Sequence, residues 1–216
     1  MKEMLERICQ SVVDLEIDKI GSLVKEALAA GIPAYRIIVD GMSRGMEVVG
    51  QKFSAQEYFL SELLAAGEAM KEGMKVLAPF LEGVKVETIG SVVLGTVRGD
   101  IHDIGKDIVK MLLTGARFEV LDLGVDVEAR QFVEKVKETD VHILAMSALL
   151  TTTMDEMRLV VDELKQAGIR NKVKVLIGGA PITPEFGKEI GADFAALDAP
   201  QGVQVAVQWV KEEKGG

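Results

Sequence analysis

The first part of the chain, from residue 1 to about 82, repeats apolar residues at intervals of three and four positions. This spacing puts apolar side chains on one face of a helix, and no strand-like alternation interrupts it. The pattern breaks at residues 31–33, where Pro33 suits a first helical turn. It breaks again at residues 50–58, where Ser54 is a candidate helix cap. We therefore expect four helices packed as a small bundle.

The pattern changes at residues 81–90, whose sequence LEGVKVETIG is interpreted as a linker and a natural hinge. Short β-branched apolar runs then alternate with helical patterns. Five such pairs predict a five-stranded parallel sheet covered on both faces, in the doubly wound, flavodoxin-like or Rossmann-like α/β class. With a 2-1-3-4-5 strand order, the loops after strands one and three would flank the point where the order reverses. The predicted division is a helical bundle at 1–86 and an α/β domain at 87–216. The expected strands are residues 89–97, 118–123, 141–147, 172–179 and 192–197.

Composition narrows the function classes. A hydrophobic fraction of 48% allows a substantial core, and a net charge of −9 argues against a nucleic-acid partner. No apolar run is long enough to span a membrane, and the first ten residues mix charges throughout, so the expected location is the cytoplasm. The single cysteine, Cys9, excludes an internal disulfide and is interpreted as a buried thiol.

Polar and small residues gather where predicted strands end. The first strand leads into VRGDIHDIG at 97–105, the third into SALLTTT at 147–153 and the fourth into GGAPIT at 178–183. The carboxyl ends of parallel strands meet at one edge, and ligands bind there at the point where the strand order reverses. We therefore expect a ligand site built from these three segments.

The first of these segments contains Asp100 and His102, which point roughly the same way if the chain is extended there. A neutral imidazole backed by a carboxylate is the usual arrangement of a metal-binding histidine, although an isolated loop histidine more often only caps a helix. A bare zinc or iron ion needs three or four protein ligands, and the segment offers one strong ligand. A metal bound here must therefore bring most of its own ligands.

The other two segments are expected to form a slot with little charge. Ser147 and the run Thr151-Thr152-Thr153 supply hydroxyls, and Gly178-Gly179 lets a flat group approach the backbone. The segments contain no cluster of Lys or Arg that could bind a phosphate. The sequence GDIHDIG lacks the GxGxxG spacing of a dinucleotide-binding loop. The second histidine, His142, has no acidic partner at motif spacing and is interpreted as structural.

Taken together, Asp100-x-His102-x-x-Gly105, Ser147-x-Leu149 and Gly178-Gly179, each after its expected strand, resemble the cobalamin-binding signature. The whole chain resembles the corrinoid proteins of methyltransferase systems, and it is similar to the two-domain cobalamin segment of methionine synthase. The stretch GGAPITPEFGKEIGAD looks most like the free-standing corrinoid subunits that serve methylamine, betaine, methanol and methoxyaromatic demethylation.

The resemblance implies a role for each matching residue. His102 would be the lower axial ligand of cobalt, in place of the cofactor's benzimidazole, and Asp100 would hold its far nitrogen. Thr153 would complete a hydrogen-bonded relay, and Gly105 would let the loop turn close beneath the ring. Phe53 and Leu60 would cover the upper face, although pattern alone favours an ordinary bundle core for both. The remaining implied cofactor contacts are Asp103, Ile104, Ser147, Leu149, Thr151, Gly178 and Gly179.

The resemblance also implies a function in anaerobic one-carbon metabolism. The chain would carry a methyl group on cobalt from a substrate-specific methyltransferase to a second methyltransferase that serves a folate or a thiol coenzyme. A reductive activator of cobalt would be a further partner, and neither nucleic acid nor membrane would be one. The chain has no room for a substrate-binding barrel, so it would be a non-catalytic subunit.

Two alternatives stay open from the residues. One is a cobalamin sensor, which would normally carry a signalling or nucleic-acid-binding domain and would respond to light or ligand. The other is a divalent-metal hydrolase built on Asp100, His102 and Asp103, which would need further carboxylates from the third and fourth loops. Corrin absorbance would distinguish the hydrolase from the other two.

Overall fold

The computed structural model describes residues 1–81 and 88–215. These residues form two compact units, a helical unit up to Thr88 that also includes Gly115–Arg117, and an α/β unit made by the rest. The boundary expected between residues 86 and 87, and most of the expected hinge at 81–90, lie outside the described residues.

The helical unit has the predicted four helical segments within residues 1–81. The third segment is continuous but contains a seven-residue π-helix between two α-helical parts. The elements are α1 (Lys2–Val13), α2 (Ile17–Ala29), α3 (Ala34–Arg36), the π-helix (Ile37–Ser43), α4 (Arg44–Ser54), α5 (Leu60–Leu77) and a 3-10 turn (Ala78–Phe80).

The two predicted helix breaks differ from expectation in detail. Pro33 has a ψ of 140°, so it precedes the helix that starts at Ala34 instead of lying in its first turn. The interpretation of Ser54 as a cap for the next helix was wrong, because Ser54 ends α4 and its hydroxyl donates to the Gly50 carbonyl at 3.1 Å. The start of α5 is held by Glu62, whose carboxylate accepts the Phe59 N–H at 2.9 Å.

Small residues set the packing of α1 inside the helical unit. A Cβ on Gly45 would lie 2.6 Å from the Val12 Cβ and 2.8 Å from the Cys9 carbonyl oxygen, so only glycine fits there. Cys9 is buried, as expected, and burial raises the pKa of its thiol. The thiol is therefore protonated at neutral pH and serves as a small apolar side chain.

The α/β unit contains one five-stranded parallel sheet, as predicted, with the flavodoxin-like order β2-β1-β3-β4-β5. Thr96 at the end of β1 pairs in register with Ser147 of β3, which in turn pairs with Gly178 of β4. The register brings the three polar segments to the same edge, as predicted. The strands are β1 (Gly90–Thr96), β2 (Phe118–Asp122), β3 (Ile143–Ser147), β4 (Lys174–Gly178) and β5 (Phe194–Ala196).

Helices follow each strand and cover both faces of the sheet, and β1, β3 and β4 are buried along almost their whole length. The helices are α6 (Ile104–Gly115), α7 (Ala129–Glu138), α8 (Met154–Gln166), α9 (Pro184–Ile190) and α10 (Ala199–Gly215), with a 3-10 turn at Arg170–Lys172. No helix within residues 1–81 and 88–215 is long and apolar enough to cross a bilayer.

His142 lies just before β3, at the amino edge of the sheet and therefore away from the three polar segments. Its Nδ1 accepts the Ser91 N–H at 3.2 Å and lies 2.9 Å from the Ser91 hydroxyl oxygen. These contacts connect the start of β3 to β1, which agrees with the structural role expected for this histidine.

A group of charges connects α6 to the end of β2. The Asp122 carboxylate accepts from Lys106 at 3.0 Å and from Lys110 at 2.8 Å. Burial alone would raise the pKa of Asp122, but the hydrogen bonds from Lys110, Gly124 and Lys106 outweigh it and lower the pKa to about 2.

This pKa predicts how stability depends on pH. An unfolded aspartate titrates near pH ~4, so Asp122 stabilises the fold fully above that pH, and the contribution is lost as the pH falls towards about 2. We expect Asp122→Asn to lower the free energy of unfolding by about 2 kcal/mol at pH 7. Urea unfolding at several pH values checks this. A difference from the wild type that does not shrink between pH ~4 and ~2 would contradict the assignment.

Candidate functional site

The loop between β1 and α6 fixes His102 at three points. Its Nδ1 lies 2.7 Å from Asp100 Oδ1, and its backbone N–H donates to the same oxygen at 3.1 Å. The Thr96 hydroxyl donates to the His102 carbonyl at 3.0 Å. An ionised carboxylate only accepts hydrogen bonds, so this geometry assigns a proton to Nδ1 and a lone pair to Nε2.

The imidazole itself is open to a ligand. The His102 side chain is 47% exposed, whereas Asp100 behind it is 0% exposed. Within residues 1–81 and 88–215, Nε2 has no hydrogen-bond partner. An exposed nitrogen lone pair on a ring fixed from behind is the arrangement that a metal-binding histidine requires.

Asp100 is held as an anion by the loop that follows β3. Its Oδ2 accepts the backbone N–H groups of Leu149 at 2.7 Å and Leu150 at 3.2 Å, and the Thr153 hydroxyl lies 3.0 Å away. Burial alone would raise the pKa of Asp100. The hydrogen bonds from Leu149, His102 and Leu150 outweigh burial and hold the pKa well below its ordinary value.

The structure thus brings His102, Asp100 and Thr153 into one hydrogen-bonded chain, as the resemblance implied. Thr153 is buried, and its hydroxyl oxygen also lies 2.9 Å from the Leu150 carbonyl oxygen. A hydroxyl carries one hydrogen, so Thr153 donates to Asp100 or to Leu150 at any moment. Asp100 keeps its backbone donors in either case.

Apolar side chains flank the imidazole on the surface. We use the term apolar rim for Ile101, Ile104, Leu149 and Leu150, all of which are exposed. Ile101 and Ile104 bracket His102 along the chain, and the N–H groups of Leu149 and Leu150 bind Asp100. Large apolar side chains left exposed together mark a surface that binds something.

Sequence reasoning included Ile104 and Leu149 of the apolar rim and missed Ile101 and Leu150. A signal was available, because both are large apolar residues inside loops that the strand pattern places at the ligand edge.

The glycines of the site differ in what requires them. A Cβ on Gly105, the second residue of α6, would meet no atom within 4 Å in the described part of the chain. A Cβ on Gly178 would have only an ordinary contact, 3.7 Å from the Ala196 carbonyl oxygen. Packing therefore requires neither glycine, and the space beside Gly105 is open.

Gly179 is required by the fold. Its φ is +135°, and a Cβ there would lie 1.8 Å from the Ala148 carbonyl oxygen. A side chain at this position is excluded by the backbone of the neighbouring loop, whatever else the glycine does.

The remaining residues implied by the resemblance lie at the same edge of the α/β unit. Ser147 ends β3 and is half-buried, and Thr151 is exposed in the loop that follows. Asp103 is exposed, and its carbonyl accepts the Asp107 N–H at 2.7 Å in the first turn of α6. In the described residues, no group of three or more His, Cys, Asp or Glu side chains is arranged to hold a metal ion.

Phe53 and Leu60 belong to the helical unit. Phe53 is half-buried near the end of α4, and Leu60 is 41% exposed at the start of α5. Phe59 and Leu64, which sequence reasoning missed, are exposed beside Leu60. Leu60 is therefore not a core residue, and we call Phe59, Leu60 and Leu64 the apolar patch of the helical unit.

Comparisons with known proteins point to one family. A family model described as a B12 binding domain matches residues 90–203, and a second model with the same description matches residues 4–78. The chain is 44% identical over 211 residues to the trimethylamine corrinoid protein of Methanosarcina barkeri, covering 95% of this chain and 97% of that protein. It is 41% identical to dimethylamine corrinoid protein 3 of Methanosarcina acetivorans, covering 94% of this chain and 95% of that one.

Solved structures agree with this result. A cobalamin-binding protein from Desulfitobacterium hafniense DCB-2 matches with a TM-score of 0.77 and 37% identity, over 95% of this chain and 98% of that one. The methanol:cobalamin methyltransferase complex of Methanosarcina barkeri matches with a TM-score of 0.87 and 29% identity, over 97% of this chain and 80% of that one. The chain therefore belongs to the B12-binding family, among the corrinoid proteins of methyltransferase systems.

Proposed function

We propose that this chain carries methyl groups on a cobalamin held at the carboxyl edge of its sheet, with His102 Nε2 as the lower axial ligand of cobalt. One observation carries the proposal. His102 is fixed through Nδ1 at 2.7 Å from a fully buried carboxylate, while the rest of its ring is exposed. When bound, cobalamin would supply a strongly nucleophilic cobalt that accepts a methyl group from a donor and gives it to an acceptor.

Asp100 controls which nitrogen of His102 is available. As an anion it keeps the proton on Nδ1, so Nε2 presents its lone pair outwards. The pKa of Asp100 is lowered, so a proton taken up when Nε2 is free stays on the imidazole and does not pass to Asp100. Protonation at Nε2 and ligation by Nε2 are then mutually exclusive.

The surrounding residues would hold the rest of the cofactor. The corrin ring would lie on the apolar rim and Gly105, with Asp103 at its edge, because these positions leave an apolar surface and an open space beside His102. The tail would occupy the slot along β3 and β4. Its lining would be Ser147, Leu149, Thr151, Gly178 and Gly179.

The helical unit would shield the upper face of the ring. Phe53 and Leu60 match the residues expected to cover it, and the exposed Phe59 and Leu64 extend the same apolar surface. An apolar cover excludes water and oxidants from a reactive metal. The cover would have to move aside for each partner enzyme.

The hydroxyl of Thr153 provides a test of the relay. We expect Thr153→Val to loosen Asp100, because one hydrogen bond to Oδ2 is lost, and to reduce histidine ligation by about two- to threefold. Thr153→Ser keeps the hydroxyl and should behave as the wild type. Visible spectra of the cobalamin-loaded variants against pH measure this. Equal behaviour of the two variants would remove Thr153 from the relay.

The partners follow from the same proposal. The relatives carry trimethylamine and dimethylamine in their names, and one structural neighbour is a methyltransferase complex, which supports a methylamine methyltransferase as the donor enzyme. A second methyltransferase would pass the methyl group to a folate or a thiol coenzyme. A reductive activator would reduce cobalt that has become oxidised, so that it can accept a methyl group again.

A reconstitution tests the carrier function directly. The cobalamin-loaded, reduced protein is mixed with a trimethylamine methyltransferase and trimethylamine, and the visible spectrum is followed. We expect a methylation spectrum that requires both the enzyme and the amine. Absence of methylation with methylamine and methanol methyltransferases alike, together with a light-dependent change of oligomeric state, would favour the sensor instead.

A further inference from the structure

Lys106 is an unexpected residue beside the proposed cobalt ligand. It follows Gly105 in the first turn of α6, yet its side chain is only 3% exposed. Its ammonium lies 2.6 Å from Asp107 Oδ1 and 3.0 Å from Asp122 Oδ2. Nothing in the proposed methyl-carrier function has so far used this buried charge.

Stability alone does not account for this cation. A positive charge in the first turn of a helix opposes the helix dipole, and burying an ion pair costs desolvation free energy. A well-packed apolar pair of similar volume commonly stabilises a fold at least as well. What an ion pair adds is a fixed geometry, because each oxygen and each N–H has a defined direction.

Two connections lead from the Lys106–Asp122 pair to His102, one along the chain and one through a series of hydrogen bonds. Along the chain, α6 holds Lys106 four residues beyond His102. Through space, the other Asp122 oxygen, Oδ1, accepts the Gly124 N–H at 2.9 Å. The Gly124 carbonyl accepts the Thr96 N–H at 3.0 Å, and the Thr96 hydroxyl donates to the His102 carbonyl at 3.0 Å.

The loop after β2 is bonded to the ligand loop a second time. The Asp126 N–H donates to the Asp100 carbonyl at 3.0 Å, and the Asp126 carboxylate accepts the Gly99 N–H at 2.7 Å. The segment from Gly99 to His102 is therefore held from one side by the β3 loop and from the other by the β2 loop. The Lys106–Asp122 pair fixes where the β2 loop meets α6.

We propose that Lys106 is a positioning residue for the cobalt ligand: its ion pair with Asp122 holds the start of α6, and with it His102 and Gly105, in the orientation that cobalamin needs. This inference rests on the proposed function, since it assumes that His102 binds cobalt. Lys106 itself touches neither the metal nor the reacting groups. It acts through the placement of the loop.

Lys110 offers a matched control. It binds the same Asp122 oxygen at 2.8 Å, but its side chain is 45% exposed and it lies a full turn further along α6. Lys106→Met and Lys110→Met therefore each remove one cation from Asp122 and keep a long side chain. Only Lys106→Met also removes the buried contact next to Gly105, because Lys110 is exposed.

The measurement is the ligation state of cobalt in protein that contains nitrogen-15 histidine and is loaded with unlabelled cobalamin. It is read from the nitrogen-15 splitting in the electron paramagnetic resonance spectrum of the cobalt(II) form, together with cobalamin affinity. We expect Lys106→Met to weaken cobalamin binding about 10- to 100-fold, the usual effect of a residue supporting a metal ligand, and to lower the histidine-ligated fraction. Lys110→Met should stay within about twofold of the wild type. Equal effects of both variants, or none from Lys106→Met, would overturn the proposal.

Two further variants keep the test decisive. If Lys106→Met fails to fold, the double variant Lys106→Met/Asp122→Leu replaces the ion pair by an apolar pair. It should fold cooperatively and still lose histidine ligation; full ligation in it would overturn the proposal. His102→Ala separates the two hypotheses: if it leaves the splitting unchanged, the proposed function fails, whereas a change in His102→Ala without one in Lys106→Met rejects only the role of Lys106.

Discussion

His102→Ala is expected to abolish histidine ligation of cobalt and to leave the fold intact. The side chain is half-exposed, so little packing is lost, and Asp100 keeps its three hydrogen bonds from the β3 loop. We expect a loss of about 1 kcal/mol in the free energy of unfolding, close to the value of one hydrogen bond. The cofactor bound to this variant should show the spectrum of benzimidazole or water ligation.

The other histidine is the control for this experiment. His142→Ala removes the contacts with Ser91 at the opposite edge of the sheet and should also cost about 1 kcal/mol, while the histidine-ligated spectrum remains. Thermal unfolding of the cofactor-free proteins and visible spectra of the loaded proteins make the comparison. An unchanged spectrum in His102→Ala, or a changed one in His142→Ala, would show that the ligand is assigned to the wrong residue.

Gly105→Leu is expected to prevent cobalamin binding without damaging the cofactor-free protein. The added side chain meets no protein atom at its Cβ, and leucine favours a helix over glycine by up to ~1 kcal/mol, so the unliganded fold should be as stable as the wild type or more so. The same side chain would fill the space beside His102. Titration with cobalamin should show a loss of affinity of 100-fold or more, that is about 3 kcal/mol.

Substitutions of two other glycines serve as controls that separate effects on cobalamin binding from effects on folding. Gly21→Ala lies in α2, where the new Cβ would be 3.7 Å from the nearest side-chain atom of Val76, and it should change neither stability nor binding for the worse. Gly179→Ala should destabilise the protein by several kcal/mol, because its Cβ would clash with the Ala148 carbonyl oxygen.

Normal cobalamin affinity in Gly105→Leu would mean that the cofactor does not lie beside the start of α6.

Much of the fold could be predicted from the sequence because its two halves have different periodicities. Helical spacing dominates up to α5, and β-branched runs alternate with helices afterwards. The doubly wound class followed from the alternation of strands and helices with right-handed crossovers, whereas the strand order is read from the folded chain. Ser54 was misassigned because a serine near a pattern break favours a cap at either end of a helix, and sequence alone does not show that residues 55–59 intervene before α5.

The candidate site was only partly predictable, for a physical reason. Asp100 and His102 are two residues apart, so their contact follows from local geometry. Two of the donors that keep Asp100 ionised are the backbone N–H groups of Leu149 and Leu150, and almost any residue has such a group. Their direction depends on the loop conformation, which residue identity does not encode.

Long-range pairs and surface positions were missed for related reasons. Lys106 and Asp122 lie on different elements, and a single lysine in an amphipathic helix is expected to be solvated. Phe59 and Leu64 are apolar residues in a helical pattern, where apolar residues are expected to be buried, although here both lie on the surface. Burial has to be seen in the folded chain before such residues indicate a binding surface.

The central claim is that a nitrogen of His102 binds cobalt, and isotopic labelling tests it most directly. Protein containing nitrogen-15 histidine is loaded with unlabelled cobalamin, and the electron paramagnetic resonance spectrum of the cobalt(II) form is recorded. We predict that each cobalt line changes from the triplet of natural nitrogen to the doublet of nitrogen-15, and that His102→Ala loses this doublet. A triplet that persists in the labelled protein would mean that the cofactor's own base remains bound, and it would contradict the account.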